Sequence, residues 1–304
     1  MLSEQEVAGL LSIEEVLEAV ELSFKESALG FAQMPPKIYL QYKKYNGDLR
    51  AMPAYLERLD ISAVKIVNAH PDNMKNFGLP TVMATILLVA PKSGQLLAIM
   101  GGRHITAMLT GATGGIAAKY LAKKDPQIVS FIGAGVQART QLQTLSAVFQ
   151  TLKEIRAWDI SPSATETFIA EIKAKTPQLQ TVSSETVKNA VENADIVVTT
   201  TPSTKPVIMN QWVSNGTHLN CIGADAPGKE EIDPEILRRS KIVVDDWMQA
   251  SHSGEINVPI SNGMLTRDNI WAELGEVIAG VKPGRTTQDE VTVFDSTGLP
   301  YKTP

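Results

Sequence analysis

A glycine-rich turn is the segment whose residue spacing most clearly indicates chemistry. Residues 129–138 read Val-Ser-Phe-Ile-Gly-Ala-Gly-Val-Gln-Ala, with the spacing G-x-G-x-x-A, after a predicted strand and before a predicted helix. Small residues at this spacing let the backbone approach a pyrophosphate while the first amides of the helix point at it. The residues expected to contact a dinucleotide here are Gly133, Ala134, Gly135, Val136, Gln137 and Ala138.

An acidic residue at the end of the next predicted strand indicates which dinucleotide is expected. Asp159 lies 21 positions after Ala138, where a carboxylate can accept hydrogen bonds from the ribose hydroxyls of NAD. Its charge would repel the 2′-phosphate of NADP, so NAD is expected and NADP is less favoured. The segment Thr199–Ser203 ends another predicted strand and could line the adenosine side, with a purely structural role as the alternative.

Residues 223–229 match the phosphate-loop spacing G-x-x-x-x-G-K, but the next residue is Glu230. A phosphate loop needs a hydroxyl there to bind magnesium, so a nucleoside triphosphatase is disfavoured. We interpret the segment as the loop at the C-terminal end of strand 219–222, the edge at which such sheets bind ligands. Asp225 is therefore a candidate acid or base, with a turn-forming role before Pro227 as the alternative.

Two cations in the N-terminal part are candidate anion ligands. Arg50 and Lys65 lie in short predicted strands, and apolar neighbours are expected to bury Lys65. A buried lysine usually meets an anion, although a structural ion pair is the alternative for both residues. No metal site is expected, because the histidines share no ligand or triad spacing and Cys221 is the only cysteine. The histidines are His70, His104, His218 and His252.

Two different patterns of predicted secondary structure, one in each part of the chain, must position these residues. Ser12 and Glu15 predict a capping box that starts an amphipathic helix, and residues 37–100 predict a mostly antiparallel sheet. An Ala- and Gly-rich helix at 106–123 offers small residues for close packing. From Gln127 onward strands and helices alternate, which is typical of a doubly wound parallel sheet. We expect an α/β protein with an α+β domain at 1–126 and a Rossmann-type domain at 127–294.

Composition excludes several classes of partner. The 304 residues carry 28 Lys plus Arg and 33 Asp plus Glu, a net charge of -5, and no long basic block, so nucleic acid is not expected. The longest apolar run, at 82–90, is too short to span a membrane. Acidic residues in segment 1–11 do not suit a signal peptide. We expect a cytoplasmic protein without membrane or nucleic-acid partners.

Taken together, seven motifs resemble the ornithine cyclodeaminase/μ-crystallin family over nearly the whole chain, and most closely its archaeal-type alanine dehydrogenases. These motifs lie at 47–53, 65–71, 78–81, 131–138, 199–202, 222–229 and 294–298.

The resemblance implies a homodimer formed through the N-terminal sheets, with one NAD(P) in each Rossmann domain. It assigns dimerisation and substrate binding to residues 1–126, joined by 295–304. Arg50 and Lys65 match the ligands of the substrate carboxylate, Lys65 and Asp225 are the catalytic candidates, and Met52 is a candidate for the substrate pocket. Further cofactor contacts are expected from Thr200, Thr201, Pro202, Gly223, Ala224, Asp225, Ser296, Thr297 and Gly298.

The activity that the resemblance implies is NAD-dependent oxidation of a small amino acid, such as L-alanine to pyruvate and ammonia, or the related imine reduction. The ligand would be a small α-amino, α-imino or α-oxo acid. Ornithine cyclodeamination and a μ-crystallin-like ketimine reductase or binding protein are the alternatives. In one respect the chain departs from the family: Leu109 stands where the helix normally carries an arginine that helps to hold the ligand carboxylate.

Overall fold

The computed structural model describes residues 1–35 and 37–298. They form two compact units, Met1–Leu109 and the residues from Thr110 onward. The division falls within one helix, Arg103–Leu121. Of the segment 295–304 that was predicted to join the first domain, residues 295–298 lie in the second unit, and 299–304 lie outside the described residues.

The first unit contains an antiparallel sheet of six strands. Its strand order is β1-β3-β4-β5-β6, with β2 also paired to β3. Every pair is antiparallel, as predicted. The strands are β1 (Ala32–Gln33), β2 (Ile38–Tyr42), β3 (Gly47–Leu56), β4 (Ile61–Ala69), β5 (Val82–Val89) and β6 (Leu96–Gly101).

The helices of this unit begin with strong local signals. The Ser12 hydroxyl accepts the amide of Glu15 while the Glu15 carboxylate accepts the amide of Ser12, which confirms the predicted capping box. The apolar face of this helix buries Val20 and Phe24 completely. The helices are α1 (Glu4–Leu10), α2 (Ile13–Ala28) and α3 (Asn73–Phe77), and α4 (Arg103–Leu121) crosses into the second unit.

The second unit is built on an eight-stranded sheet in the order β15-β14-β16-β12-β10-β7-β8-β9. All of its pairs are parallel, which confirms the predicted doubly wound class. The central strands are buried throughout, as expected for a sheet covered on both faces. Its strands are β7 (Ile128–Ile132), β8 (Glu154–Trp158), β9 (Gln180–Ser183), β10 (Ile196–Thr199), β12 (His218–Cys221), β14 (Ser240–Val244), β15 (Ile270–Glu273) and β16 (Val291–Asp295).

Short helices and a second, two-stranded sheet complete this unit. The strands β11 (Thr204–Ile208) and β13 (Glu230–Ile232) form a parallel pair that the sequence analysis did not predict. The helices are α5 (Val136–Val148), α6 (Pro162–Lys175), α7 (Val187–Val191), α8 (Pro234–Arg238), α9 (Trp247–Ser253), α10 (Asn257–Ser261) and α11 (Leu274–Ile278).

Glycines on α4 explain why the sequence places small residues there. A Cβ on Gly111 would lie 2.7 Å from the carbonyl oxygen of Thr140 in α5, and one on Gly115 would lie 2.9 Å from Cβ of Thr144. The Thr144 hydroxyl also donates to the carbonyl of Gly111 at 2.8 Å. The two helices therefore approach closely enough for direct hydrogen bonds, and α5 is the helix whose N-terminus faces the glycine-rich turn.

Candidate functional site

The glycine-rich turn lies where the strand order of the parallel sheet reverses, between β7 and β10. Gly133 has φ +101°, and a Cβ there would lie 2.7 Å from the hydroxyl of Thr200. Gly135 caps the 13-residue helix α5 without a side-chain hydrogen bond, and a Cβ on it would meet nothing within 4 Å. The turn thus offers open space over the helix N-terminus, which suits a pyrophosphate.

Asp159 follows β8 and is tied to this turn. Its Oδ2 accepts the amide of Ala134 at 2.8 Å and its Oδ1 accepts the amide of Ser161 at 2.8 Å. Because each carboxylate oxygen can accept two bonds, capacity remains for ribose hydroxyls at the position that the sequence indicates. The residues of the turn fit NAD, and a carboxylate here disfavours the extra phosphate of NADP.

Two more predicted cofactor loops meet beside the turn, after β10 and after β12. A Cβ on Gly223 would overlap the carbonyl oxygen of Thr201, so the backbones of the two loops touch where only glycine fits. The Thr200 hydroxyl donates to the carbonyl of Gly133 at 3.2 Å, which joins the first of these loops to the glycine turn. Ala224 is buried beneath the surface of the second loop.

A fully buried carboxylate that the sequence analysis missed holds these two loops. Oε1 of Glu231 accepts the amide and the hydroxyl of Thr201 at 2.6 and 2.8 Å. Oε2 accepts the hydroxyl of Thr199 at 2.7 Å and the amide of Gly223 at 2.8 Å. The sequence does show a pair of adjacent acids at 230–231. Which of the two side chains points inward becomes clear only once strand β13 is known.

Two further buried carboxylates, those of Glu255 and Asp295, lie close to Glu231. Glu255 accepts the backbone amides of Glu231 and Ile232 at 2.8–3.0 Å. Asp295, the last residue of β16, accepts the amide of Ile256 at 3.1 Å. Burial raises the pKa of all three acids, that of Asp295 to about 8 and that of Glu255 well above its ordinary value, and the neighbouring carboxylates add to the rise for Asp295 and Glu255.

A fourth buried carboxylate holds the last predicted cofactor loop. Oδ2 of Asp245 accepts the amides of Thr297 and Gly298 at 2.7 and 3.1 Å, and Oδ1 accepts the hydroxyl of Thr297 at 2.9 Å. Ser296 precedes them directly after β16. Because the strands are parallel, every predicted cofactor residue from Gly133 to Gly298 lies at the same edge of the sheet, at the C-terminal ends of its strands.

Asp225 lies on the loop after β12, and its side chain is 46% exposed. The ammonium group of Lys229 donates to its carboxylate at 2.5 Å and approaches the carbonyl of Gly223 at 3.5 Å. The lysine of the G-x-x-x-x-G-K match therefore contacts the acid of its own loop. Asp225 keeps enough exposure to reach a ligand.

The first unit brings the predicted substrate residues onto one face of its sheet. Met52 and Lys65 are paired across β3 and β4, and Arg50 lies two residues before Met52, so the three side chains point the same way. Lys65 is only 5% exposed, as its apolar neighbours predict, and Met52 is equally buried. Arg50 forms a two-point ion pair with Asp48 at 3.0–3.2 Å. Their roles toward a substrate stay predictions.

Three other residues that the sequence analysis singled out are buried inside the protein. His218 is fully buried between Thr292 and Asn220, and burial lowers its pKa to about 3. Leu109 is buried, and Cys221 is a buried free thiol. Within residues 1–35 and 37–298, no group of acids, histidines and cysteines could hold a metal ion, and no helix is long and apolar enough to cross a membrane.

The profile of the ornithine cyclodeaminase/mu-crystallin family matches residues 1–302. The chain belongs to this family. Among its relatives, the alanine dehydrogenase of Archaeoglobus fulgidus is 48% identical over 299 residues, which cover 98% of this chain and 90% of the relative. The ketimine reductase mu-crystallin of Mus musculus is 34% identical and covers 93% of this chain and 86% of the relative.

Solved structures of family members share the fold. An archaeal alanine dehydrogenase dimer with bound NAD superposes with a TM-score of 0.94 at 48% identity, over 99% of this chain and 91% of that one. The Δ1-pyrroline-2-carboxylate reductase of Thermococcus litoralis, in complex with NADH and L-proline, gives 0.94 at 40% identity, over 99% and 93%. The predicted family and fold class are confirmed, and the relatives agree with the predicted NAD-dependent oxidoreductase.

Proposed function

We propose that the chain is an NAD-dependent oxidoreductase that converts L-alanine, NAD⁺ and water to pyruvate, ammonium, NADH and a proton. The observation that carries the proposal is 48% identity with an alanine dehydrogenase over nearly the full length of both chains. The glycine turn, Asp159 and the three adjoining loops supply the dinucleotide site that such an enzyme needs.

In this reaction NAD accepts a hydride from the substrate carbon, and the protein must hold the substrate and move protons. We assign the substrate carboxylate to Arg50 and Lys65, because an arginine fork and a buried ammonium match an anion. Met52 lines the same sheet face. Asp225 exchanges protons with the substrate amine or the attacking water. An exposed carboxylate on a cofactor loop suits this role.

We further propose a homodimer formed through the first unit, which thereby serves dimerisation and substrate binding while the second unit binds NAD. The support is the dimeric state of the archaeal alanine dehydrogenase and an apolar surface on one face of β2, where Ile38 and Leu40 are exposed. Exposed apolar residues grouped on a strand mark an interaction surface.

Imine reduction is the second candidate activity. It is favoured by the 40% identity and TM-score of 0.94 with a Δ1-pyrroline-2-carboxylate reductase. A cyclic imino acid has the same carboxylate and the same reducible carbon–nitrogen bond as the imine of alanine. Arg50, Lys65 and Asp225 can therefore serve it without any change of role.

The two candidates separate in one assay, in which purified protein oxidises NADH in the presence of a candidate acceptor. Alanine dehydrogenase activity requires ammonia together with pyruvate, whereas a cyclic imino acid is reduced without ammonia. Pyruvate with ammonia is the expected acceptor. Conversion of ornithine to proline and ammonia without net NADH would replace the proposal by cyclodeamination, and NADH binding without any turnover would replace it by a binding protein.

A further inference from the structure

We propose that Glu231 is a positioning residue that clamps the loop after β10 to the loop after β12 and thereby sets the affinity for the dinucleotide. The inference rests on the proposed function only in that these loops bind NAD(H). Glu231 itself is fully buried, and its carboxylate bonds to residues of the two loops.

The clamp consists of four hydrogen bonds that one carboxylate accepts from two loops. Thr201 donates its amide and hydroxyl to Oε1, at 2.6 and 2.8 Å. Thr199 and Gly223 donate a hydroxyl and an amide to Oε2, at 2.7 and 2.8 Å. Each oxygen therefore serves at least one backbone amide, and the two amides belong to different loops.

Only a carboxylate of this length can serve both amides. A backbone amide always donates, whereas a hydroxyl can rotate and accept instead. The side-chain amide of Gln has one accepting oxygen, so its NH₂ group would face the amide of either Thr201 or Gly223. Asp keeps both acceptors but is one methylene shorter, so it cannot reach both loops from the same backbone position.

The backbone that carries Glu231 is itself held in place. The amides of Glu231 and Ile232 donate to Glu255, which is fully buried. In the part of the chain that the structure describes, neither Glu231 nor Glu255 forms an ion pair with a lysine or an arginine. The hydrogen-bond donors to Glu231 therefore come from the two loops. The position of the Glu231 carboxylate in turn sets where these loops lie.

The clamped loops reach the dinucleotide turn through Thr200, whose hydroxyl donates to Gly133. A shift of the Thr199–Ser203 segment would therefore move the Thr200 hydroxyl, which lies so close to Gly133 that a Cβ added there would be only 2.7 Å from it. Without the clamp, part of the binding free energy must order the two loops when the dinucleotide binds. The affinity for the dinucleotide is therefore lower.

The test compares E231Q and E231D with E230Q. Glu230 is a matched control, because it is the preceding residue of β13, is also buried, and donates its backbone amide to Ser203 without a side-chain bond to either loop. NADH titration followed by fluorescence gives the dissociation constant and the number of sites per chain. We expect both Glu231 variants to raise the NADH dissociation constant about tenfold or more with the site number kept, and E230Q to stay within about twofold of wild type.

The number of sites separates positioning from folding. A purely structural role would lower the number of sites per chain while the remaining sites keep the wild-type dissociation constant. If the Glu231 variants do not fold, T199V is the second variant: it keeps the shape and removes one donor, and a rise of about threefold to tenfold is expected. A wild-type dissociation constant for E231D, E231Q or T199V would overturn the proposal.

The outcomes also separate this inference from the proposed function. Wild-type protein that binds NADH but turns over no amino or oxo acid would refute the proposed activity, while the comparison of dissociation constants still tests Glu231. Wild-type protein that binds no NADH would overturn both.

Discussion

Replacing Asp295 by Asn should change how the stability of the second unit depends on pH. Burial, together with the nearby Asp245 and Glu231, raises the pKa of this carboxyl from 3.8 to about 8. Between those values the folded chain holds a proton that the unfolded chain releases, so a rise in pH favours unfolding. The loss begins above about pH 4 and is complete near pH 8.

The size of the effect follows from the two pKa values. Each pH unit in this window costs the folded state ~1.4 kcal/mol, which gives an upper limit of roughly 6 kcal/mol between pH 4 and pH 8. Asn keeps a carbonyl oxygen for the amide of Ile256 and does not ionise in this pH range. The D295N protein should therefore gain stability over wild type steadily as pH rises.

Urea unfolding followed by tryptophan fluorescence measures this difference at several pH values from 5 to 9. The signal reports the second unit, because all four tryptophans lie there: Trp158, Trp212, Trp247 and Trp271. The exposed Asp268 provides a control, and D268N should follow wild type at every pH. A constant difference between D295N and wild type from pH 5 to pH 8 would refute the reasoning, because it would mean that Asp295 ionises alike in both states.

Three further variants and one control are expected to behave as follows. D225N should leave the NADH dissociation constant unchanged and lower turnover by about 100-fold or more, as loss of a general acid or base does; normal turnover would remove Asp225 from the reaction. D159A should weaken NADH binding by about tenfold while NADPH loses less, and an equal loss for both would argue against ribose recognition. G111A should destabilise the protein by roughly 1–3 kcal/mol in thermal unfolding, because its Cβ would meet the Thr140 carbonyl. G9A, where a Cβ has open space, should instead stabilise by about 0.5–1 kcal/mol, and a similar gain for G111A would contradict the close packing.

The sequence by itself determined the elements whose signals are local. The Ser12 capping box, the alternation of strands and helices after Gln127 and the glycine turn at 133–138 depend on neighbours in the chain, and each is present in the structure. The spacing from Ala138 to Asp159 predicted that this carboxylate would lie beside the turn, because both follow adjacent parallel strands. Apolar neighbours likewise predicted that Lys65 is buried.

Only the tertiary structure decided which residues support the site from below. Glu230 and Glu231 are adjacent and chemically alike, yet only Glu231 points beneath the two loops, because the pairing of β13 with β11 sets which side each residue faces. Asp295 and Glu255 approach it from other strands and loops through contacts across long stretches of chain. Side-chain direction in a strand follows its register, and register is set by partners far away in the sequence.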